Sequence, residues 1–265
     1  MIKEEYRTLQ ISIQKNICYL NLNRPKIKNA FDDKMIAELT DVFETIAQSH
    51  DIRILILSGN GTGFCAGADL HWMKKMKSFT EEENYSDSLS LAKMIQALYL
   101  LPQPAIARIN GPVFGGGMGL ICACDIAVSV DSAVFAFSEV KLGLVPAVIS
   151  PYVINKIGES ACRELFLTGR RFNADEAKSF RMVHSVVSQD KLDETVNQYI
   201  RYLLANGPLA ISACKRLLDY LGCKNPLDAA EYTSNLIARL RISPEGQEGI
   251  KAFFDKRNPS WFPKD

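Results

Sequence analysis

The chain has 265 residues, of which 47% are hydrophobic and 23% are charged. Its 31 basic and 30 acidic side chains give a formal net charge of +1, so the charge balance does not favour binding to nucleic acid or to an anionic membrane surface. This length predicts one large hydrophobic core, or one core with an appended region.

The cysteines indicate a reducing compartment. They are seven in number, form no Cys-x-x-Cys pair and lie mostly in apolar surroundings, which predicts packed thiols rather than disulfides or a zinc site. No charged-then-apolar leader opens the sequence, so we expect no secretory signal and a cytoplasmic protein. The apolar run 112–130 is about as long as a membrane span. It contains Asp125 and four glycines, however, and we expect a buried loop, helix and strand there.

The chain opens with two predicted strands and a predicted helix. The stretches 8–13 and 17–22 alternate in polarity around Lys15–Asn16, which predicts a hairpin. From Asp33 onward, apolar residues recur at helical spacing. The apolar stretch 53–58 then predicts a buried strand, and a glycine-rich loop follows it directly.

The succession of strand, glycine loop and helix occurs a second time. A capping box of Thr80 and Glu83 predicts the start of a helix that reaches about residue 101. The buried strand 105–109 comes next, and a second glycine loop and a helix follow it. Further short strands are expected at 125–130 and 134–137.

Helices dominate the sequence after Ser150. They are predicted at residues 151–157, 160–168, 174–180, 191–205, 208–221, 226–241 and 244–254. Because strands come first and helices accumulate later, we expect an α/β core in residues 1–195 and a helical C-terminal region in residues 196–265.

The two glycine loops match none of the common motifs for phosphate, metal or serine chemistry. GxGxxG, GxxxxGK[ST], HExxH and GxSxG are absent, and the three histidines lack metal-ligand spacing. Each loop leads from a buried strand into a helix, whose first N–H groups have no partner within the helix. Two such groups aimed at one point would form an oxyanion hole. Alternatively, the glycines only allow tight packing of strand and helix.

Several motifs, in the same order along nearly the whole chain, resemble the enoyl-CoA hydratase/isomerase (crotonase) family. They are Leu22–Asn23–Arg24–Pro25 with Asn29–Ala30, Phe64–Cys65–Ala66–Gly67–Ala68–Asp69–Leu70, Asn110–Gly111 with Gly115–Gly116–Gly117, Cys124–Asp125, Thr168–Gly169 with Ala174, Glu176 and Ala177, and Phe254–Asp255–Lys256–Arg257 with Pro259. The resemblance implies an α/β fold, a crotonase-like spiral of ββα units with a helical C-terminal trimerisation region. It also implies acyl-CoA substrates, no metal or redox cofactor, and a homotrimer or a dimer of trimers.

The same resemblance assigns roles to individual residues. The N–H groups of Ala68 and Gly116 correspond to the family's oxyanion-hole donors. Further contacts with the CoA thioester, its pantetheine arm or its nucleotide end fall on Ala66, Asp69, Leu70, His71, Lys26, Lys28 and Lys256. Asp69 has an alternative role near the start of a helix, where the dipole favours negative charge. Lys256 is alternatively a solvated lysine in a charged tail.

The acidic residues depart from the family's common pattern. Hydratases of the family commonly carry two glutamates, and Glu139 corresponds to the second. Gly119 stands where the first would be, and we expect it to leave room for substrate or for a water molecule. A positioned acid or base contributes typically 10²–10⁴-fold, so the missing acid bears on the reaction. If the resemblance is set aside, Glu139 is a lone glutamate after a strand, and such a residue is usually a solvated surface residue.

The sequence around these residues favours hydration. Residues 64–74, 138–144 and 146–152 resemble the bacterial methylglutaconyl-CoA hydratase branch, which acts in leucine and acyclic terpene breakdown. The resemblance therefore implies addition of water to a 2-enoyl-CoA, with methylglutaconyl-CoA or a related branched enoyl-CoA as substrate. Two alternatives stay open. One is a Δ3,Δ2-enoyl-CoA isomerase that uses the single glutamate, and the other is a non-catalytic CoA-ester-binding protein.

Overall fold

The computed structural model describes residues 5–222 and 225–263. Its strands are β1 (Leu9–Gln14), β2 (Ile17–Leu22), β3 (Ile54–Gly59), β4 (Ala105–Ile109), β5 (Val113–Phe114), β6 (Ile126–Val130), β7 (Val134–Ala136), β8 (Phe172–Asn173) and β9 (Ser185–Val187). Its helices are α1 (Asp33–Ala47), α2 (Leu70–Met76), α3 (Glu81–Tyr99), α4 (Gly116–Ala123), α5 (Ser150–Thr168), α6 (Ala174–Ser179), α7 (Leu192–Leu204), α8 (Pro208–Leu221), α9 (Ala230–Ile242) and α10 (Pro244–Phe254).

The strands form two sheets. The larger sheet has the order β1-β2-β3-β4-β6-β9, in which β1 and β2 are antiparallel and the other neighbours are parallel. All six residues of β3 are buried, which explains its continuous apolar sequence, since parallel strands are usually covered on both faces. The smaller sheet has the order β5-β7-β8. The chain is therefore a mixed α/β fold.

Local sequence signals predict several of these elements correctly. Lys15 and Asn16 turn between β1 and β2 with φ of 47° and 68°, as a two-residue hairpin loop requires. The capping box of Thr80 and Glu83 begins α3. Helix α1 begins after its N-cap, Asp32, whose side chain accepts a hydrogen bond from a backbone N–H of the first turn.

The two helices expected at 151–157 and 160–168 are confirmed as the two halves of α5, which are separated by Gly158 with its non-helical φ of 78°. Other elements differ from the prediction. Asp125 does not begin a strand. Its side chain instead accepts a hydrogen bond of 2.7 Å from the N–H of Ala105. The helix expected after the first glycine loop is α2, for which the sequence predicted no bounds.

The chain divides into two compact units. One comprises the described residues up to Leu101 together with Ala105–Val196, and the other comprises Pro102–Pro104 with the described residues from Asn197 onward. The second unit contains most of α7 and all of α8, α9 and α10, so the C-terminal region is helical. Its predicted role in trimerisation stays a prediction.

The described cysteines agree with packed thiols in most cases. They form no disulfide, and five are buried while Cys214 is exposed. Cys223 lies outside the described residues. Within the described part of the chain, no helix is long and apolar enough to cross a membrane. The expected cytoplasmic location stays a prediction.

Candidate active site

Three consecutive glycines lead from β5 into α4, the first because of its backbone conformation and the other two because neighbours occupy their side-chain positions. Gly115 precedes the helix with φ of 51°, a left-handed conformation that favours glycine. A Cβ on Gly116 would overlap the ring of Phe31, and a Cβ on Gly117 would lie 2.9 Å from the Cβ of Cys65. A larger residue at either position would push these neighbours away. The glycines therefore permit close packing, and this packing brings the two glycine loops together.

The two loops are hydrogen-bonded to each other along their backbones. The N–H groups of Phe64 and Cys65 donate to the carbonyl of Pro112 at 3.1 and 3.3 Å, and the N–H of Phe114 donates to the carbonyl of Cys65 at 2.9 Å. A Cβ on Gly67 would lie only 2.9 Å from the oxygen of Phe114. The loop that contains Ala68 and the loop that leads into α4 therefore meet backbone to backbone.

The N–H of Ala68 is directed by the residues on either side of it. The N–H of Phe31 donates to the carbonyl of Gly67, and the N–H of Asp69 donates to the carbonyl of Phe31, both at 2.9 Å. These bonds form a parallel β-bridge between Phe31 and Ala68. The N–H between two such bonds points away from the partner segment. No residue in the described ranges accepts the Ala68 N–H.

The N–H of Gly116 is the other candidate donor. Gly116 is the first residue of α4, so no carbonyl within the helix accepts its N–H. Elsewhere in the described chain it has no acceptor either. The helix dipole places partial positive charge at this end. The arrangement therefore presents two N–H groups without acceptors among the described residues, one on each of two joined loops.

Glu139 places its carboxylate beside these loops. It begins the short 3-10 helix Glu139–Leu142, which follows β7. Its Oε1 lies 3.5 Å from the position that a Cβ on Gly115 would take. Its Oε2 is buried and has no hydrogen-bond partner in the structure. Burial raises the pKa of Glu139 above its ordinary value, which suits a group that accepts a proton near neutral pH.

Gly119 does not leave open space. A Cβ there would overlap Cγ2 of Ile149 and would lie 3.4 Å from Cδ1 of Ile95. Ile149 itself is only 2% exposed. These apolar side chains fill the position, so we correct the expectation that Gly119 makes room for substrate or for a water molecule.

The predicted substrate contacts on the first glycine loop have different surroundings. Asp69 is buried, and its carboxylate is the N-cap of α2 and forms an ion pair with Arg24 at 2.8 Å. Its structural role is therefore clear, and its contact with substrate stays a prediction. Leu70 is 77% exposed and His71 is exposed, so both side chains are available to a ligand. Their roles in substrate binding also stay predictions.

The remaining predicted contacts lie in two places. The N–H of Ala66 donates to the carbonyl of Lys28 at 2.9 Å, which joins the first glycine loop to the segment that carries both N-terminal lysines. The side chains of Lys26 and Lys28 are exposed. Lys256 belongs to the C-terminal unit and follows α10 with φ of 54°. For all of these residues, contact with CoA stays a prediction.

Two further residues shape the site, and no role was predicted for either from the sequence. The buried side chain of Asn29 donates to the carbonyls of Asn60 and Gly63, each at 2.9 Å. Phe31 forms the bridge to Ala68 and occupies the side-chain position of Gly116. The sequence offered one weak indication of their importance: Asn29 belongs to the motif Asn29–Ala30, and Phe31 follows it directly. The motif predicts no particular contact.

No group of three or more potential metal ligands occurs among the described residues. The expectation that the site needs no metal or other cofactor stays a prediction. What the described residues do present is an ionisable carboxylate beside two N–H donors. This combination defines a class of site in which an oxygen of the ligand takes up negative charge while a proton is transferred nearby.

Comparisons with known proteins identify the family. The profile of the enoyl-CoA hydratase/isomerase family matches residues 12–264. The crystal structure of an enoyl-CoA hydratase from Shewanella pealeana is 41% identical, with a TM-score of 0.93 over 96% of each chain. That of an enoyl-CoA hydratase/isomerase from Marinobacter aquaeolei is 33% identical, with a TM-score of 0.92 over 97% of this chain and 99% of the other. Enoyl-CoA hydratase AKT6-1 of Alternaria alternata is 34% identical over 91% of this chain and 79% of its own length.

The chain belongs to the enoyl-CoA hydratase/isomerase family. The resemblance and the fold class stated from the sequence are thereby confirmed, and the family acts on acyl-CoA substrates. The crotonase fold is shown by neighbours with TM-scores of 0.92 and 0.93.

Proposed function

We propose that the protein is an enoyl-CoA hydratase that adds water across the 2,3-double bond of a 2-enoyl-CoA. One observation carries the proposal: the buried, unpartnered carboxylate oxygen of Glu139 lies beside the glycine loops that present the N–H groups of Ala68 and Gly116. The names of similar proteins, which include enoyl-CoA hydratases from Shewanella pealeana and Alternaria alternata, support hydration.

In the proposed reaction the N–H groups of Ala68 and Gly116 hold the thioester oxygen. Glu139 takes a proton from a water molecule whose oxygen bonds to C3 of the substrate, and the electrons of the double bond move toward the thioester as an enolate. The two N–H groups stabilise the negative charge on the enolate oxygen. Glu139 then returns the proton to C2, so one water molecule is added and the carboxylate is regenerated.

The filled position at Gly119 supports the assignment of both proton transfers to Glu139. Ile149 occupies the place where a water molecule had been expected to stand, so that route for the proton has no support. A raised pKa suits a group with both roles, because it lowers the free energy of protonating the carboxylate. One residue for both proton transfers also fits the sequence, which has Glu139 but has Gly119 in place of the other glutamate that hydratases of the family commonly carry.

A Δ3,Δ2-enoyl-CoA isomerase is the second candidate. The observation that favours it is the apolar filling of Gly119 by Ile149 and Ile95, since an isomerase moves one proton between two carbons and needs no bound water. In that reaction Glu139 removes a proton from C2 of a 3-enoyl-CoA and returns it to C4. The same two N–H groups would stabilise the dienolate.

Separate incubations with a 2-enoyl-CoA and a 3-enoyl-CoA decide between the two reactions. The proposal predicts that the 2-enoyl-CoA gains one water, detected as a mass increase together with loss of the conjugated absorbance. Conversion of the 3-enoyl-CoA into the conjugated isomer, without water addition to either substrate, would instead establish the isomerase.

Dialysis against a chelator should leave the activity unchanged, because the proposed steps need no metal or cofactor.

We further propose methylglutaconyl-CoA, or a related branched enoyl-CoA, as the substrate, because residues 64–74, 138–144 and 146–152 resemble that branch. Its second carboxylate needs a hydrogen-bond donor. Tyr152 is half-buried beside Tyr99, with ring centroids 5.2 Å apart. The other candidate donors are exposed: Lys74, Lys75, Lys141 and His71. We expect kcat/KM for methylglutaconyl-CoA to exceed that for crotonyl-CoA. Equal kcat/KM values for the two substrates would contradict the assignment of a branched substrate and would leave the assignment as an enoyl-CoA hydratase unchanged.

The proposed assembly is a homotrimer or a dimer of trimers. Large apolar side chains in the C-terminal unit support it, because they are well exposed in the single chain. They include Leu218, Ile242, Phe253 and Phe254, which are 71–79% exposed. Exposed apolar patches commonly mark interfaces. Sedimentation velocity should give three or six times the mass of one chain, and a monomer at micromolar concentration would contradict this proposal.

A further inference from the structure

The guanidinium of Arg24 connects two backbone segments next to the site. Its Nη1 donates to the carbonyl of Ala30 at 2.7 Å. Its Nη2 donates to Oδ2 of Asp69 at 2.8 Å and lies 3.0 Å from Oδ2 of Asp32. The side chain of Arg24 is 22% exposed and that of Asp69 is 7% exposed, so these ion pairs are largely shielded from water. A rigid guanidinium suits such multiple contacts better than a lysine would.

Both carboxylates are also N-caps. Oδ1 of Asp32 accepts from the N–H of Met35 at 3.0 Å at the start of α1. Oδ1 of Asp69 accepts from the N–H of His71 at 2.7 Å at the start of α2. Each carboxylate therefore uses one oxygen for its own helix and the other for Arg24. A single guanidinium thus links the first turns of two helices.

The residues directly before these two caps are Phe31 and Ala68, which form the parallel bridge. Arg24 therefore joins the two segments one residue beyond the bridge that directs the Ala68 N–H. We propose that Arg24 is a positioning residue, which holds this N–H in the direction that the thioester oxygen requires. The inference rests on the proposed function, because it assigns a purpose to one of the two proposed donors.

Electrostatics give the same residue a second effect. Asp32 and Asp69 approach the same nitrogen of Arg24, so without the guanidinium two carboxylates would face each other with no cation between them. Burial pushes the pKa of Asp69 upward, but hydrogen bonds from the N–H groups of His71 and Trp72 and the charge of Arg24 outweigh burial and hold it below its ordinary value. Loss of Arg24 would leave negative charge near a developing oxyanion and would push the two segments apart.

The test compares Arg24→Gln and Arg24→Lys with wild type. We expect Arg24→Gln to lower kcat for a 2-enoyl-CoA about 10–100-fold, since a misplaced donor loses transition-state stabilisation. KM should stay within about threefold, because an interaction that is made mainly in the transition state contributes little to binding of the substrate. Arg24→Lys restores the charge without the fork of donors and should recover only part of kcat.

Arg170 provides a matched control. Its guanidinium also bridges two carboxylates, at 2.6 Å from Glu164 and 2.7 Å from Glu176, and Glu176 completes a capping box at the start of α6. This bridge joins segments that carry neither proposed donor. We therefore expect Arg170→Gln to lower stability without lowering kcat selectively.

A spectroscopic measurement separates positioning from general destabilisation. Butyryl-CoA labelled with ¹³C at the thioester carbonyl has no double bond to hydrate, so its bound C=O stretch reports hydrogen bonding alone. Wild type and Arg170→Gln should shift this stretch to lower frequency, and Arg24→Gln should shift it less. If Arg24→Gln does not fold, Arg24→Lys decides, because it should also give a smaller shift. An unchanged shift and an unchanged kcat in the folded variant would overturn the inference.

The same measurement distinguishes this inference from the proposed function. If bound butyryl-CoA shows no carbonyl shift in wild type, the two N–H groups do not hold the thioester oxygen, and the proposed site fails. If wild type shows the shift and adds water, but the Arg24 variants match it in both, only the positioning role of Arg24 fails.

Discussion

At the scale of single residues, the site is defined by polar groups that the protein itself leaves without partners. A buried carboxylate oxygen of Glu139 and the N–H groups of Ala68 and Gly116 have no hydrogen-bond partner among the described residues. A buried polar group left unsatisfied costs about 1–3 kcal/mol, and most such groups in proteins are paired. The Glu139 oxygen is such a group, and a ligand bound at the adjoining loops would satisfy it together with the two N–H groups.

Gly119 gives a prediction at this scale. Gly119→Ala should destabilise the protein by about 1–3 kcal/mol, because the new methyl group would overlap Ile149 in a packed region. Adding Ile149→Ala should relieve the overlap, so the double variant should be more stable than the sum of the single effects predicts. Urea unfolding measures both effects. Gly222→Ala is the control, since its nearest neighbours would lie 3.6 Å away.

At the scale of elements, α4 shows why the glycine cluster could be noticed but not explained from sequence alone. The sequence near Gly115 indicates that a strand ends and a helix begins there, and the pattern of strand, glycine loop and helix was predicted correctly. The residues that make glycine necessary, Phe31, Cys65 and Ile149, are far away in sequence. No local pattern reveals such contacts. The same holds for Arg24 and Asp69, which are 45 residues apart.

The segment that leads into β9 gives a prediction about pH. Nδ1 of His184 accepts from the N–H of Ala127 at 3.0 Å beside β6, which requires the ring nitrogen to be unprotonated. Burial, with a smaller effect of the charge on Lys156, lowers the pKa of His184 below its ordinary value of 6.5, although Asp125 acts in the opposite direction. The unfolded chain therefore binds this proton at higher pH than the folded chain does, and stability falls as pH drops below about 6.5.

Urea unfolding at pH 7.5 and pH 5.5 measures this effect. We expect His184→Asn to lose less stability than wild type between the two values, because the titrating ring is gone. His50→Gln removes an exposed histidine and should keep the pH dependence of wild type. A pH dependence in His184→Asn equal to that of wild type would exclude His184 as its source.

At the scale of the whole molecule, the sequence predicts the fold class and the family better than it predicts the details of the site. Motifs spread over nearly the whole chain identify the crotonase fold, and the comparisons confirm it. The sequence placed Asp69 near the start of a helix, but it did not identify Asp69 as the N-cap of α2. The bounds of α2 were not predicted, since this helix has only seven residues and one buried side chain, Trp72.

The proposed reaction requires the carboxylate of Glu139 to accept and return the proton, so substitution of this residue is its sharpest test. Glu139→Gln keeps the size of the side chain but removes the proton-accepting group, so we expect kcat for a 2-enoyl-CoA to fall about 100-fold or more. Binding of butyryl-CoA, measured by calorimetry, should be nearly unchanged. Glu159→Gln, at an exposed glutamate paired with Arg163, is the control and should keep the activity of wild type. Hydration by Glu139→Gln at close to the rate of wild type would contradict the account.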